Sequence, residues 1–318
     1  AQWWGARQVG MVLLPTAGWK DPVLHGVMRL AVRSLALASL TAVQYVGIFV
    51  VAGAIPGGVV AFTIALNFFN LPVAIGAKPV AVALLPHLSR LHQERRHALF
   101  HDEWIRGIGM TLLLAGPAVV AYLLLAQPIA TLVSFGEMAD PHGISLLSVS
   151  LAALAFGIVG ESLFLLSTHA SMARLDARSP LRAVTLRSAL LVPGMVGALL
   201  LARAGADDRL VLAVLGGTVS IAALAGAAAL GQRLGRQLPR GDERVRRPLV
   251  RTGVAAMAMA LALVPFAWLA GQATGSGVQL ASVVLSVAVG GAVFIGVLIL
   301  EGAPEPRHVL AALSRGSR

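Results

Sequence analysis

Cysteine is absent from all 318 residues, which excludes disulfides, thiolate metal sites and cysteine nucleophiles. Charge is scarce as well. Only 12% of residues are charged and 57% are hydrophobic, with a mean hydropathy of +0.82, which is not the balance of a soluble protein. The acidic residues number 14 and never gather into a carboxylate cluster for two metals. There is no phosphate-binding Gly-rich loop and no defensible Ser-His-Asp arrangement, so ATP hydrolysis and enzymatic chemistry in general are not expected, nor any cofactor. Lysine occurs only at Lys20 and Lys78; every other base is arginine. A pI of 11.6 would point to nucleic acid in a soluble protein. Here the bases lie in short loops between apolar runs, where membrane topology explains them better and no nucleic-acid partner is expected.

What the chain does have is apolar runs of about 20 residues, each long enough to cross a hydrocarbon core of about 30 Å. Eight are expected, at 24–52, 59–86, 105–126, 144–171, 183–202, 210–230, 249–270 and 278–300. Residues 128–135 form a short apolar extension of the third, bent at Pro128. The fold class is therefore all-α, an integral membrane protein. Loop charge tests the count. The segment leading into the first span, the even-numbered connections and the tail hold 22 of the 25 bases; the odd-numbered connections hold only Arg203 and Arg209. Arg174, Arg178, Arg182 and Arg187 are counted in one of those basic connections. Such alternation predicts both ends of the chain on the cytoplasmic side of the membrane, with the run Arg240–Arg251 as an anchor touching anionic lipid headgroups. Residues 1–22 read as an interfacial segment, marked by Trp3, Trp4 and Trp19, or as the end of a missing upstream span. The rest divides into a six-helix lobe (23–240), two C-terminal helices (241–302) and a basic cytoplasmic tail (303–318). The opening AQWWGARQVGMVLLP has no basic n-region and cleavage site, so the chain reads as a piece of a longer protein.

One span differs from the others. The run GGVVAFTIALNFFNLPVAIGAKPVAVALLPHLSR at 57–90 carries Asn67, Asn70 and Lys78 inside its apolar length. At 100° per residue these fall within an arc of about 80°. Pro72 and Pro79 remove two N–H donors and free the carbonyls of Phe68 and Ile75. Backbone of this kind persists at membrane depth only when buried in protein or lining a cavity. The stripe therefore reads either as a kinked helix satisfied by its neighbours or as a cavity wall. The second ionisable residue well inside a span is Glu161. Lys78 lies roughly 12 Å and Glu161 roughly 15 Å from the cytoplasmic ends of their helices, so an ion pair between them is physically possible. Such a pair could be structural or part of a substrate pathway. Gln44 in the first span faces the same choice between a cavity and a bond to a neighbouring helix. His97 and His101 have the i, i+4 spacing of a metal pair, but only Asp102 offers a third ligand, so a solvated loop is expected. Gly157–Gly160 and Gly216–Ser220 are read as close-approach positions between helices.

The run LNFFNLPVAIGAKPVAVALLPHLSR resembles the signature of the MurJ/MviN family, the lipid II flippases of bacterial cell-wall synthesis. In that family a helix with a short polar stretch leads into LP, a Gly/Ala-rich half and LLPxLSR. Phe100, Arg106, Pro117, Gln127, Pro128 and Ile129 fit the family's next loop and helix. Phe135-Gly136 resembles the family's outer FxxG turn, and ARLDARSP at 173–180 its YxRxDxxTP loop. The resemblance covers most of residues 18–180 and beyond that rests on helix count and loop charge. It implies a two-lobe, fourteen-helix transporter of which this chain is the second lobe plus two C-terminal helices, without the N-terminal lobe. The implied activity is alternating-access movement of an undecaprenyl-diphosphate-linked peptidoglycan precursor, its head in a cationic cavity and its tail in a groove formed by the last two helices. The substrate-binding residues so implied are Lys78, Asn67 and Asn70, with Glu161 and Gln44. Two departures stand out. Asn67 occupies the place of an expected arginine, and Asn70 that of an acidic residue. An amide can hydrogen-bond a phosphate oxygen but cannot neutralise it, which leaves Lys78 to supply the charge. A MATE-like or polysaccharide-lipid exporter with other cargo, and a non-transporting scaffold derived from a flippase, remain as alternatives.

Overall fold

The computed structural model describes residues 22–239, 245–272 and 276–303. The interfacial segment, the basic tail and the boundary near residue 240 lie outside the described residues. The described chain is helical: α1 (Pro22–Ala52), α2 (Gly58–Pro72), a π turn (Val73–Ala77), α3 (Lys78–Gln93), α4 (His97–Leu124), α5 (Ala126–Val133), a 3-10 turn (Gly136–Ala139), α6 (Pro141–Ala173), α7 (Arg178–Arg203), α8 (Asp208–Gln237), α9 (Arg246–Gln272) and α10 (Ser276–Leu300). Taken with the π turn, α2 and α3 form one long element. Eight helices are then long and apolar enough to cross a membrane. Several run past the expected apolar windows at the basic end, α3, α4 and α8 most clearly, because a charged amphipathic turn continues a helix beyond the hydrocarbon limit that hydropathy detects.

The two prolines of the α2–α3 element have different consequences. Ahead of Pro79 the Lys78 N–H bonds to the Val73 carbonyl, five residues back, and this wider turn makes room where a proline ring would press on the carbonyl of residue i−4. Pro72 leaves the Phe68 carbonyl without its helical donor. The buried Tyr122 of α4 supplies one, its hydroxyl donating to Phe68 O at 3.0 Å, and the two rings meet edge to face at 6.1 Å. Tyr122→Phe keeps the ring and removes that donor. The expected cost is about 1–2 kcal/mol of stability, read as a lowered thermal midpoint in detergent.

The core is organised around α6, which packs against α2, α3, α4, α5 and above all α8. Its start is capped by Asp140, whose Oδ1 accepts from the Gly143 N–H at 2.8 Å, with Pro141 in the first turn. The expected close-approach positions are where α6 and α8 meet. The Ser220 hydroxyl accepts from the Gly157 N–H (3.1 Å) and donates to the Ala153 carbonyl (2.7 Å), entering the backbone ladder of α6 between groups one turn apart. Helix α7 packs on α8, and α1 packs mainly on α7; α6 and α7 scarcely touch each other. The α9–α10 pair docks on α4, where a Cβ on Gly116 would meet the Phe294 ring at 2.8 Å and the Thr252 methyl at 2.9 Å.

Candidate functional site

The candidate residues separate into two groups. Asn67 and Lys78 lie with Val60, Thr63, Leu71 and Val82 on an exposed face of the α2–α3 element. Among the described residues Lys78 makes no ion pair. Gln44, Asn70 and Glu161 point the other way, into the bundle.

The pairing of Glu161 with Lys78 is corrected by the structure. The partner of Glu161 is Arg187, with Nη1 2.6 Å from Oε2. Arg187 does not belong to a loop. It lies nine residues into α7, roughly 14 Å along the axis, and is only 8% exposed. The spacing of α7 accounts for this: Ala183, Arg187, Leu191 and Ala198 are all buried and form one stripe at helical period. That stripe was the available signal, hidden because Arg187 continues a series of loop arginines. The guanidinium carbon lies 5.8 Å from the centre of the Phe164 ring, a cation–π contact. Its Nε is buried without a hydrogen-bond partner.

Around the pair stands a polar cluster drawn from four helices. Gln44 of α1 donates through Nε2 to the Ser188 hydroxyl of α7 at 2.7 Å, so the bond to a neighbouring helix is the alternative realised. Tyr45 of α1 lies within the field of both Glu161 and Arg187, with the Asn70 side chain against its hydroxyl. Asn70 itself donates to the Leu66 carbonyl at 2.9 Å. Gln44, Tyr45 and Arg187 border a closed cavity of about 10 Å³, the scale of one water molecule. On the other side of the pair Glu161 and Tyr45 line a cleft of about 480 Å³ between α1 and α6, walled by Leu37, Thr41, Phe164 and Thr168. A second cleft, about 570 Å³ and almost wholly apolar, lies among Phe68, Ile129, Leu132, Leu280 and Val283.

The ARLDARSP loop joins α6 to α7 and works as a cap. Asp176 Oδ1 accepts from the N–H groups of Arg178 (2.9 Å) and Ser179 (3.2 Å), and Oδ2 from the Ser179 hydroxyl (2.6 Å). Burial pushes the Asp176 carboxyl up, but those hydrogen bonds and the Arg174 charge outweigh it and hold the group below its ordinary range. Leu175 takes a positive φ of 57° at the turn, and Arg174 ties the loop to α8 through Gln237 at 3.0 Å.

Comparison with known proteins agrees with this architecture. The family profile described as "Lipid II flippase MurJ" matches residues 1–289. The chain is 24% identical over 176 residues to a protein of Vibrio cholerae named probable lipid II flippase MurJ, an alignment covering 55% of this chain and 34% of that protein. It is 27% identical over 117 residues to the lipid II flippase MurJ of Burkholderia cenocepacia, covering 36% and 22%. A solved structure titled lipid II flippase MurJ, inward closed conformation, superposes with a TM-score of 0.62 at 16% identity, over 83% of this chain and 53% of that one. The chain therefore spans about a third or less of the length of these two curated relatives and about half of the solved structure. With a family profile matching residues 1–289, just over nine-tenths of its length, this chain is a multi-pass membrane protein of the MurJ lipid II flippase family, a family of transporters and not of enzymes.

Proposed function

We propose that this chain is the second lobe and C-terminal helix pair of a lipid II flippase, completed by an N-terminal lobe, with its basic ends and both its termini on the cytoplasmic side. The observation that carries the reading is the uncovered polar face of the α2–α3 element. Lys78 is a full charge at membrane depth on a helix face that no described helix covers. Such a charge needs a water-filled cavity or an anionic partner, and a cavity shared with another lobe supplies both. Lys78 then meets the diphosphate and Asn67 hydrogen-bonds it. The apolar cleft bordered by α10 offers the lipid chain a wall. The arginine-rich ends face anionic headgroups of the inner leaflet. Asn67, standing where an arginine is expected, favours one other reading, a carrier of the same fold with less highly charged cargo.

The test is depletion of the whole protein followed by measurement of lipid II exposed on the outer leaflet. Exposure should fall, return with the wild-type gene, and stay low with Lys78→Ala. Unchanged exposure on depletion points to other cargo or to a scaffold. Full rescue by Lys78→Ala removes Lys78 from the site.

A further inference from the structure

Glu161 stands out among the carboxylates. Every other described one (Glu94, Asp102, Glu103, Glu137, Asp140, Asp176, Asp207, Asp208 and Glu301) lies in a loop or near a helix end; only Glu161 sits mid-helix. Its side chain is 22% exposed, against 9% for that of Arg187, and what exposes it is the cleft between α1 and α6. The pair also joins α6 to α7, two helices that scarcely touch each other directly and meet chiefly through α8. Helix α6 belongs to the core built with α2, α3, α4 and α8. Helix α7 carries α1, fastened by the Gln44–Ser188 bond and by a close approach at Gly47, where a Cβ would meet the Met195 side chain at 3.0 Å.

From this we infer that Glu161 is a proton-binding site whose occupancy decides whether the α1–α7 pair is clasped to α6. A proton arriving from water through the cleft forms an O–H bond on the Glu161 carboxylate. The guanidinium keeps its own protons, since arginine does not titrate in this range, so the pair passes from neutral to singly positive. The ion pair is lost and Arg187 is left as an uncompensated charge in a buried position, with Nε already lacking a partner. Arg187 must then move toward water or toward another anion, and α7 moves with it and takes α1 along. Proton uptake and opening of the cleft are thereby linked, each favouring the other. The groups facing Glu161 are few. Arg187 comes from α7 and Tyr45 from α1. Asn70 of α2 does not titrate, and Lys78 at the start of α3 is on the outer face. On α4, Arg106 lies nine residues in but is exposed and paired with Glu103, and the charged residues of α8 lie near its ends. His169, two turns along α6, holds its Nδ1 2.9 Å from the Leu165 carbonyl and is the competing titrating group. This inference concerns the motion of the lobe and does not depend on which cargo is carried.

The absence of cysteine from these residues makes the test direct. Spin labels at Leu35→Cys and Phe156→Cys, both on exposed positions outside the cleft lining, report the α1–α6 separation in nanodiscs frozen across a pH series. The expected result is a shift toward longer label–label distances on acidification. Glu161→Gln should show the longer distance at every pH, while His169→Gln should leave the wild-type response in place. A distance in the doubly labelled parent that ignores pH overturns the proposal, and this measurement requires only the two exposed cysteine positions to be tolerated. A pH response that persists in Glu161→Gln, or disappears in His169→Gln, overturns it equally.

Discussion

Replacing Glu161 by alanine should cost the protein about 3–5 kcal/mol, the scale seen when one partner of a buried ion pair is removed. The loss comes from what is left behind. Without the carboxylate, the 8% exposed Arg187 keeps a charge it cannot give up, under a stack of α7, α8 and the Phe164 ring. Arg187→Ala should cost less, because the orphaned Glu161 faces the cleft and can take a proton. The order Glu161→Ala worse than Arg187→Ala is the signed prediction. Glu161→Gln falls between wild type and Glu161→Ala, since it removes the charge but keeps the side-chain volume beside Arg187. The exchange Glu161→Arg with Arg187→Glu should recover part of the loss, whereas Lys78→Glu with Glu161→Lys, the exchange suggested by depth alone, should recover none. Thermal midpoints of the purified variants in one detergent decide the matter. Equal midpoints for Glu161→Ala and wild type would mean that the pair contributes nothing.

Depth and direction differ in how far a sequence reveals them. Span count rests on apolar length and loop charge, both one-dimensional properties, and the eight helices lie where those properties put them. The contacts of Gly157, Gly160 and Gly216 are similarly legible, because a small residue at helical spacing has few other uses inside a bilayer. The partner of Glu161 is a different kind of question. Depth along the membrane is readable by counting residues, and on depth Lys78 and Arg187 are equally suitable. Azimuth decides between them. The π turn at Val73–Ala77 inserts a residue just ahead of Lys78 and rotates the rest of the element by about 100° relative to an unbroken helix. An arc computed at constant pitch therefore carries no information about where Lys78 points. Arg187 was recoverable from the buried stripe of α7, where an arginine occupies a position that Leu191 and Ala198 mark as internal. The division of the five candidate residues into an outer face and an inner cluster comes from tertiary packing and had no signal in the chain.

A large steric effect is expected at Gly160. A Cβ there would stand 2.5 Å from the Leu224 nitrogen and 2.6 Å from the Ala223 carbonyl carbon. These are backbone atoms of α8 and cannot swing aside as a side chain can, so α6 and α8 must separate. That is the most extensive contact in the bundle, and it also holds the Ser220 hydroxyl within reach of the Gly157 N–H and the Ala153 carbonyl. Gly160→Ala is therefore expected to cost upwards of about 1–3 kcal/mol, the ordinary scale of overpacking, because it strains the contact and these hydrogen bonds together. Gly160→Leu should leave no folded protein to purify. Gly197 and Gly217 supply the control. Both are helical and a Cβ on either meets nothing within 4 Å, so alanine there should be neutral or stabilising by up to about 1 kcal/mol through helix propensity. A tolerated Gly160→Ala, with a midpoint no lower than that of Gly217→Ala, would show that α6 and α8 do not approach this closely. The Glu161–Arg187 geometry would then need revision as well, since α7 is positioned chiefly by its own packing on α8.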